Sequence, residues 1–196
     1  PLLLRSRMIS CPEITLQAAK DEHGVFQMHS YKQVYQKVVE MACALKKIGI
    51  QRGDKIALIS DNRREWLVAD MALLSLGAAD VPRGCDSMGT EIRFIISFVE
   101  CKIGFFETGW QLSKVLEKKE EIPTLKTAIL FEKATDEVLQ TAKNAGITVI
   151  AYTELEKIGE AASEAERAVV EHEMDITEAD EVATIIFTSG TTGIPK

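Results

Sequence analysis

The densest group of residues able to do chemistry closes the chain: Thr188-Ser189-Gly190-Thr191-Thr192-Gly193-Ile194-Pro195-Lys196. Its two glycines free the backbone to turn sharply, so that several N–H groups can converge on one oxyanion. Its hydroxyls add donors, or an oxygen for a divalent cation, and Lys196 adds a mobile point charge. Such a nest suits a polyphosphate. It is not a Walker A loop, which requires G-x-x-x-x-G-K-[ST], because Pro195 precedes the lysine here. A plain turn is the blander reading of Ser, Thr and Gly after a strand. Strand context, glycines, hydroxyls and a lysine in one place outweigh it, and the residues alone read as a binder of nucleotide phosphate.

Other reactive side chains form no such group. His23, His29 and His172 have no spacing that would bring them together beside an activated nucleophile, so a hydrolytic triad has no support. Cys11, Cys43, Cys85 and Cys101 form no C-x-x-C pair, and buried, reduced thiols are expected rather than a zinc or redox site. Trp66 and Trp110 fall on helices among Leu and Val, where core packing is expected. Asp61 and Asn62 end a strand, where open α/β sheets place ligands, although helix capping explains them equally.

The elements that must position the terminal loop are legible upstream. Ile14–Ala19 and Val25–His29 flank a turn at 21–24 and read as a hairpin. Ser30 and Gln33 form a capping box ahead of apolar residues at Val34, Tyr35, Val38, Met41, Ala42, Leu45 and Ile48, and Gly49 closes that helix. A strand at Lys55–Ser60 leads into a helix capped by Asn62 with Glu65 and ended by Gly77, apolar on every side and hence covered. The alternation continues with strands Ala79–Val81, Ile103–Glu107, Thr127–Phe131 and Ile147–Ala151. Helices are expected at Glu91–Val99, Trp110–Lys119, Asp136–Asn144 and, behind a Thr153/Glu156 capping box, Thr153–Ile158. Strands alternating with helices of this length mean right-handed βαβ units, hence a layered α/β fold with a parallel sheet flanked by helices. Glu160–Glu173, rich in Glu and Ala, reads as a solvated helix or mobile connector. A final buried strand, Val182–Phe187, delivers the loop.

Composition bounds the function. At 196 residues, with 46% hydrophobic and 27% charged positions, the chain has the make-up of a globular domain, not of a disordered, collagenous or disulfide-stapled one. A net charge of -7 with no basic stripe argues against nucleic acid as partner. The opening Pro-Leu-Leu-Leu-Arg-Ser-Arg is too short an apolar run for a signal peptide, so a cytoplasmic location is expected. A start at Pro1 and a stop at Lys196 inside a functional loop lead to the expectation of a piece excised from a longer protein.

Thr184-Ile185-Ile186-Phe187 followed by TSGTTGIPK resembles the phosphate-loop signature of the adenylate-forming superfamily, which includes acyl-CoA synthetases, luciferases and peptide-synthetase adenylation domains. The stretches from Ser30 to Ser60 and from Asn62 to Pro82 are similar to that family's N-terminal helices and strands. Residues 111–132 and 180–193 look most like bacterial long-chain fatty acyl-CoA synthetases. Arg83-Gly84-Cys85-Asp86 departs from the family, which often has a second proline there.

The resemblance implies that residues 1–196 are part of the large N-terminal, AMP-binding domain, ending at the phosphate loop, with the rest of that domain and a C-terminal lid outside it. It implies a reaction in which ATP activates a fatty acid to an acyl adenylate with loss of pyrophosphate, after which the acyl group passes to coenzyme A. Carried onto matching positions, Thr188, Ser189, Gly190, Thr191, Thr192 and Gly193 would hold the β and γ phosphates. Thr188 would ligate Mg2+, and Lys196 would neutralise the departing pyrophosphate. No catalytic residue is implied within the chain, and the piece alone is expected to be inactive. Alternatives are an adenylate-forming ligase for a short-chain, aryl or amino acid, with coenzyme A or a carrier-protein thiol as acceptor, and a non-catalytic nucleotide-binding module. A long-chain substrate is compatible with peripheral membrane contact, although no amphipathic basic helix supports it, and nothing in the sequence sets an oligomeric state.

Overall fold

In the computed structural model, which describes residues 1–21 and 23–188, five parallel strands form the centre. They are β3 (Lys55–Ile59), β4 (Ala79–Arg83), β5 (Ile103–Phe106), β6 (Thr127–Leu130) and β7 (Thr148–Ala151), in the order β4-β3-β5-β6-β7. Successive side chains of a strand point to opposite faces, and a sheet covered on both sides therefore has strands that are apolar throughout. Ile56 and Leu58 of β3, Phe105 of β5 and Ile129 of β6 enter one core. Their neighbours Ala57, Ile59, Phe106, Ala128 and Leu130 enter the other.

The first core is roofed by α2 (Tyr31–Lys47), α3 (Arg64–Ser75), α7 (Tyr152–Glu160) and α8 (Glu164–Asp175), the second by α4 (Gly89–Val99), α5 (Gly109–Leu116) and α6 (Asp136–Asn144). Ahead of them stand α1 (Leu2–Ser10) and an antiparallel hairpin of β1 (Thr15–Lys20) and β2 (Phe26–Ser30). The hairpin ends in the expected cap: Gln33 N donates to Ser30 Oγ at 3.3 Å while Gln33 Oε1 accepts from Ser30 N at 2.9 Å. Gly49 follows α2 at φ +99°, the left-handed position that a glycine fills without strain. No helix among the described residues is long and apolar enough to cross a membrane.

Several expectations need correcting. Helix α3 starts one residue later than an Asn62 cap requires; extended Arg63 precedes it, no side chain caps it, and Glu65 accepts from Arg63 Nε at 3.0 Å instead. Helix α7 starts at Tyr152, ahead of Thr153, so the Thr153/Glu156 box does not form. The stretch 160–173 is neither solvated throughout nor a connector. Val170 and Met174, one helical turn apart, are fully buried, and the glutamates face cations of α2 and of the turn that follows it: Glu173 pairs with Lys46 at 2.7 Å and Arg52 at 3.0 Å, and Glu166 with Lys47 at 2.9 Å. A two-residue apolar stripe is too narrow to show as periodicity. Helix α1 was not foreseen for the same reason, since Leu4 alone is buried in it, while its Arg5 bonds Glu171 and Asp175 of α8. Trp110 is 66% exposed beneath Lys114 and not in a core, whereas Trp66 packs partly buried against the first core. Of the thiols, Cys43 and Cys101 are buried, but Cys11 and Cys85 are half-buried; all four are free.

Candidate functional site

The order of the strands singles out one place. The connection from β3 through α3 runs outward to β4 on one face of the sheet, and that from β4 through α4 returns across β3 to β5 on the other. Loops leaving β3 and β5 therefore diverge, opening a crevice at the carboxyl edge, where open α/β sheets take ligands.

Asp61 follows β3 there and Glu107 follows β5. Glu107 Oε2 accepts from Ser60 Oγ at 2.8 Å and from Asp61 N at 2.9 Å, tying the two strand ends together. Asp61 Oδ1 in turn accepts from Cys85 N at 3.0 Å, in the loop after β4. That loop is pinned from below: Lys114 Nζ donates to the Cys85 and Ser87 carbonyls, both at 3.1 Å, and Arg83 Nε to Ser87 Oγ at 2.9 Å. Ligand atoms of Asp61, Cys85 and Glu107 lie within 4.8 Å of one another. Burial and the Glu107 carboxylate push the Cys85 thiol up to about 11, so it stays protonated near neutrality. With a protonated thiol and a Glu107 oxygen already shared by two donors, the trio is a hydrogen-bonded brace for the crevice floor. Asp61 is 24 residues from Cys85 and 46 from Glu107, so no local motif marks the trio in the sequence.

The chain returns to this edge beside β4. Asp80 N donates to Ala183 O at 3.2 Å and Ile185 N to Asp80 O at 2.9 Å, a single parallel bridge rather than the buried strand expected over Val182–Phe187. The segment lies outside the edge strand, paired on one side among the described residues, and Val182 and Ile186 are exposed. What locks it is its ends. The Asp80 carboxyl is buried, which holds its pKa above the ordinary value although the nearby Thr184 hydroxyl acts the other way. Phe187, 7% exposed, meets Phe94 and Phe98 edge-on at 6.2 and 5.8 Å, and its carbonyl accepts from Arg83 Nη1 at 3.3 Å.

The next residue, Thr188, is exposed at this carboxyl edge. Its hydroxyl is a hard oxygen donor of the kind Mg2+ accepts, so the residue type fits the cation role expected of it. Ser189, Gly190, Thr191, Thr192, Gly193 and Lys196 lie outside the described residues. Arg83, Lys114 and Glu107 are the site residues that sequence reading missed; Arg83, standing in the segment that departs from the family pattern, was the available signal. Among the histidines, His29 on β2 has its Nε2 3.3 Å from Arg64 Nη1, His172 is in the last turn of α8 and His23 in the hairpin turn.

Comparison with known proteins gives the following. A family model described as AMP-binding enzyme matches residues 15–196. A long chain acyl-CoA synthetase of Arabidopsis thaliana is 30% identical over 97% of this chain and 27% of its own length. A long-chain-fatty-acid–CoA ligase of Mycobacterium tuberculosis is 30% identical over 79% of this chain and 23% of its own. The chain thus spans about a quarter of the curated relatives it matches. Among solved structures, the adenylation domain of a carboxylate reductase from Mycobacterium chelonae superimposes with a TM-score of 0.76 at 19% identity, over 99% of this chain and 33% of that one, a likeness of fold.

Proposed function

The chain belongs to the AMP-binding enzyme family, and from that premise we propose that it supplies the phosphate-binding edge of an enzyme that activates a fatty acid with ATP to acyl-AMP and transfers the acyl group to coenzyme A. The observation that carries the reading is the delivery of Thr188, first residue of the hydroxyl- and glycine-rich loop, to the carboxyl edge of the sheet by the Asp80 bridge and the Arg83–Phe187 bond. The long-chain specificity rests on the names of relatives about 30% identical.

A carboxylate is a poor electrophile, and adenylation gives it a good leaving group; the protein's task is to position the phosphates and to offset their charge. In this reading the backbone and hydroxyls of Thr188, Ser189, Gly190, Thr191, Thr192 and Gly193 hold the β and γ phosphates. Lys196 meets the charge of the departing pyrophosphate, and Thr188 offers its hydroxyl to Mg2+. That ion, when bound, neutralises phosphate charge. Arg83 acts through the backbone of Phe187, holding the loop's entry where the β3–β5 crevice opens.

The test is carboxylate-dependent ATP–pyrophosphate exchange by the full-length gene product with acetate, octanoate, palmitate, benzoate and an amino-acid pool. Exchange highest with palmitate, followed by coenzyme A-dependent release of AMP, is expected. A maximum with another acid keeps the adenylation and refutes the long-chain substrate. Absence of exchange with every acid refutes the reading. Lys196→Ala is expected to weaken the ATP dependence of exchange; an unchanged ATP dependence removes the lysine from the mechanism.

A further inference from the structure

A second cavity, of about 230 Å3, lies where β1 and β2 cover the first turns of α2, α3 and α7. Gln17 and His29 of the hairpin, Val34 of α2, Arg64 of α3, and Tyr152 and Glu156 of α7 line it. What it could hold follows from which polar groups already have partners.

Lys37, which also lines it, is taken by Glu40 at 3.2 Å and Glu160 at 2.6 Å. Arg64 Nη2 is 3.5 Å from Glu65, and its Nη1 faces His29 Nε2. A guanidinium only donates, so His29 Nε2 accepts and the ring proton sits on Nδ1. Burial and the Arg64 charge hold the imidazole below its ordinary value, keeping it neutral.

Three groups are left over. Tyr152 is 3% exposed, yet its hydroxyl makes no hydrogen bond to a described residue, and burial together with Glu156 and Glu65 keeps it protonated. Gln17 Oε1 is buried without a hydrogen-bond partner among the described residues. Glu156, half-buried, enters no ion pair or hydrogen bond among the described residues, and burial raises its carboxyl. The cavity also faces the starts of α3 and α7; neither N-cap side chain caps its helix, and Glu65 and Glu154 in those first turns offset the partial positive charge, so the cationic group on this wall is Arg64. Unmet acceptors (Glu156 and Gln17) and unmet donors (the His29 Nδ1–H and the Tyr152 hydroxyl), with the Arg64 guanidinium beside them, thus share one small space next to the apolar wall of Val34 and Val68. A simple anion would face Glu156 and Glu65, and a simple cation would face Arg64.

We propose that this cavity binds a small zwitterion of the α-amino-acid class, its ammonium directed to Glu156 and the Gln17 carbonyl and its carboxylate to Arg64 and the His29 Nδ1–H, with the Tyr152 hydroxyl between them. The proposal is independent of the adenylation reading, because none of these residues belongs to the Thr188 edge.

Calorimetric titration of the purified chain with a panel of amino acids tests it, with the matching alkylamines and alkylcarboxylates as half-ligands. At least one amino acid is expected to saturate, and at least about tenfold more tightly than either of its halves. Tyr152→Phe, which keeps the ring against Phe131, and Glu156→Gln are each expected to weaken binding about fivefold or more while leaving the ligand-free Tm in place, since neither group bonds a described residue. No saturable heat up to about 50 mM, equal binding of one half-ligand, or variants that bind as the parent does would each overturn the proposal.

Discussion

Asp70 on α3 and Asp80 on β4 are the pair of acids whose removal from water is most readily tested. Asp70 is 9% exposed and Asp80 2% exposed. Burial, then the Asp80 charge, pushes the Asp70 carboxyl from 3.8 to about 6, with the Pro1 ammonium acting weakly the other way. Below pH 4 the folded and unfolded chains both carry the Asp70 proton. Between about pH 4 and 6 the unfolded chain loses it first, so stability falls as pH rises, and above about pH 6 the loss is complete. A displacement from 3.8 to about 6 corresponds to about 3 kcal/mol. Asp70→Asn keeps the shape and does not titrate. It is therefore expected to be more stable than the parent by about 2–3 kcal/mol at pH 7.5, with the gap closing at pH 4. Urea unfolding of both proteins at the two pH values measures this, and titrations common to both cancel in the difference. A gap of equal size at pH 4 and 7.5, or a parent more stable at pH 7.5, refutes the reasoning. Because Asp80 carries the backbone bridge to Ala183 and Ile185, relief of its neighbour's charge should also slow amide exchange at Ile185.

Four further outcomes follow from particular contacts. Gly→Ala inside a helix ordinarily stabilises by up to ~1 kcal/mol, but a Cβ at Gly159 would stand 2.2 Å from the Glu40 carbonyl oxygen, so Gly159→Ala is expected to lower stability by about 2–3 kcal/mol in chemical denaturation. Met174→Ala should cost about 2–5 kcal/mol, because α8 is packed; a change near zero would return residues 164–175 to the status of a solvated connector. Arg83→Ala should speed amide exchange around residues 185–188 while leaving β3 and β5 protected, and unchanged exchange there would remove Arg83 as the clasp of the loop entry. With a thiol reagent at pH 8, Cys11 should react ahead of Cys85, held at about 11, and Cys101, held at about 12; Glu107→Gln should accelerate Cys85, and no acceleration would show that Glu107 does not hold its proton.

What could be read from the sequence, and what could not, divides along physical lines. Strand and helix identities were legible wherever a buried element had to be apolar on the faces it presented: Ile56–Ile59, Phe105–Phe106 and the Val34–Leu45 stripe announce themselves by composition and period. Elements held by a narrow contact and many charges were not. Helix α8 shows two buried side chains among glutamates, and its place is set by Lys46, Lys47 and Arg52, whose partners are more than a hundred residues distant. The caps failed at α3 and α7 because a capping motif fixes a helix start only if the helix begins there, and the cap position lies one residue later than expected at α3 and two earlier at α7. The candidate site has the same split. The loop from Thr188 was legible because its chemistry is local: glycines, hydroxyls and a lysine within nine residues. The frame that aims it was not, because it depends on strand order. Alternating strands and helices are compatible with many orders, and only the order β4-β3-β5 brings Asp61, Cys85 and Glu107 together and sets Arg83 beside the returning chain. A one-place change in that order would leave every local motif intact and dismantle the crevice, so in this chain the residues state the chemistry and the topology states where it can happen.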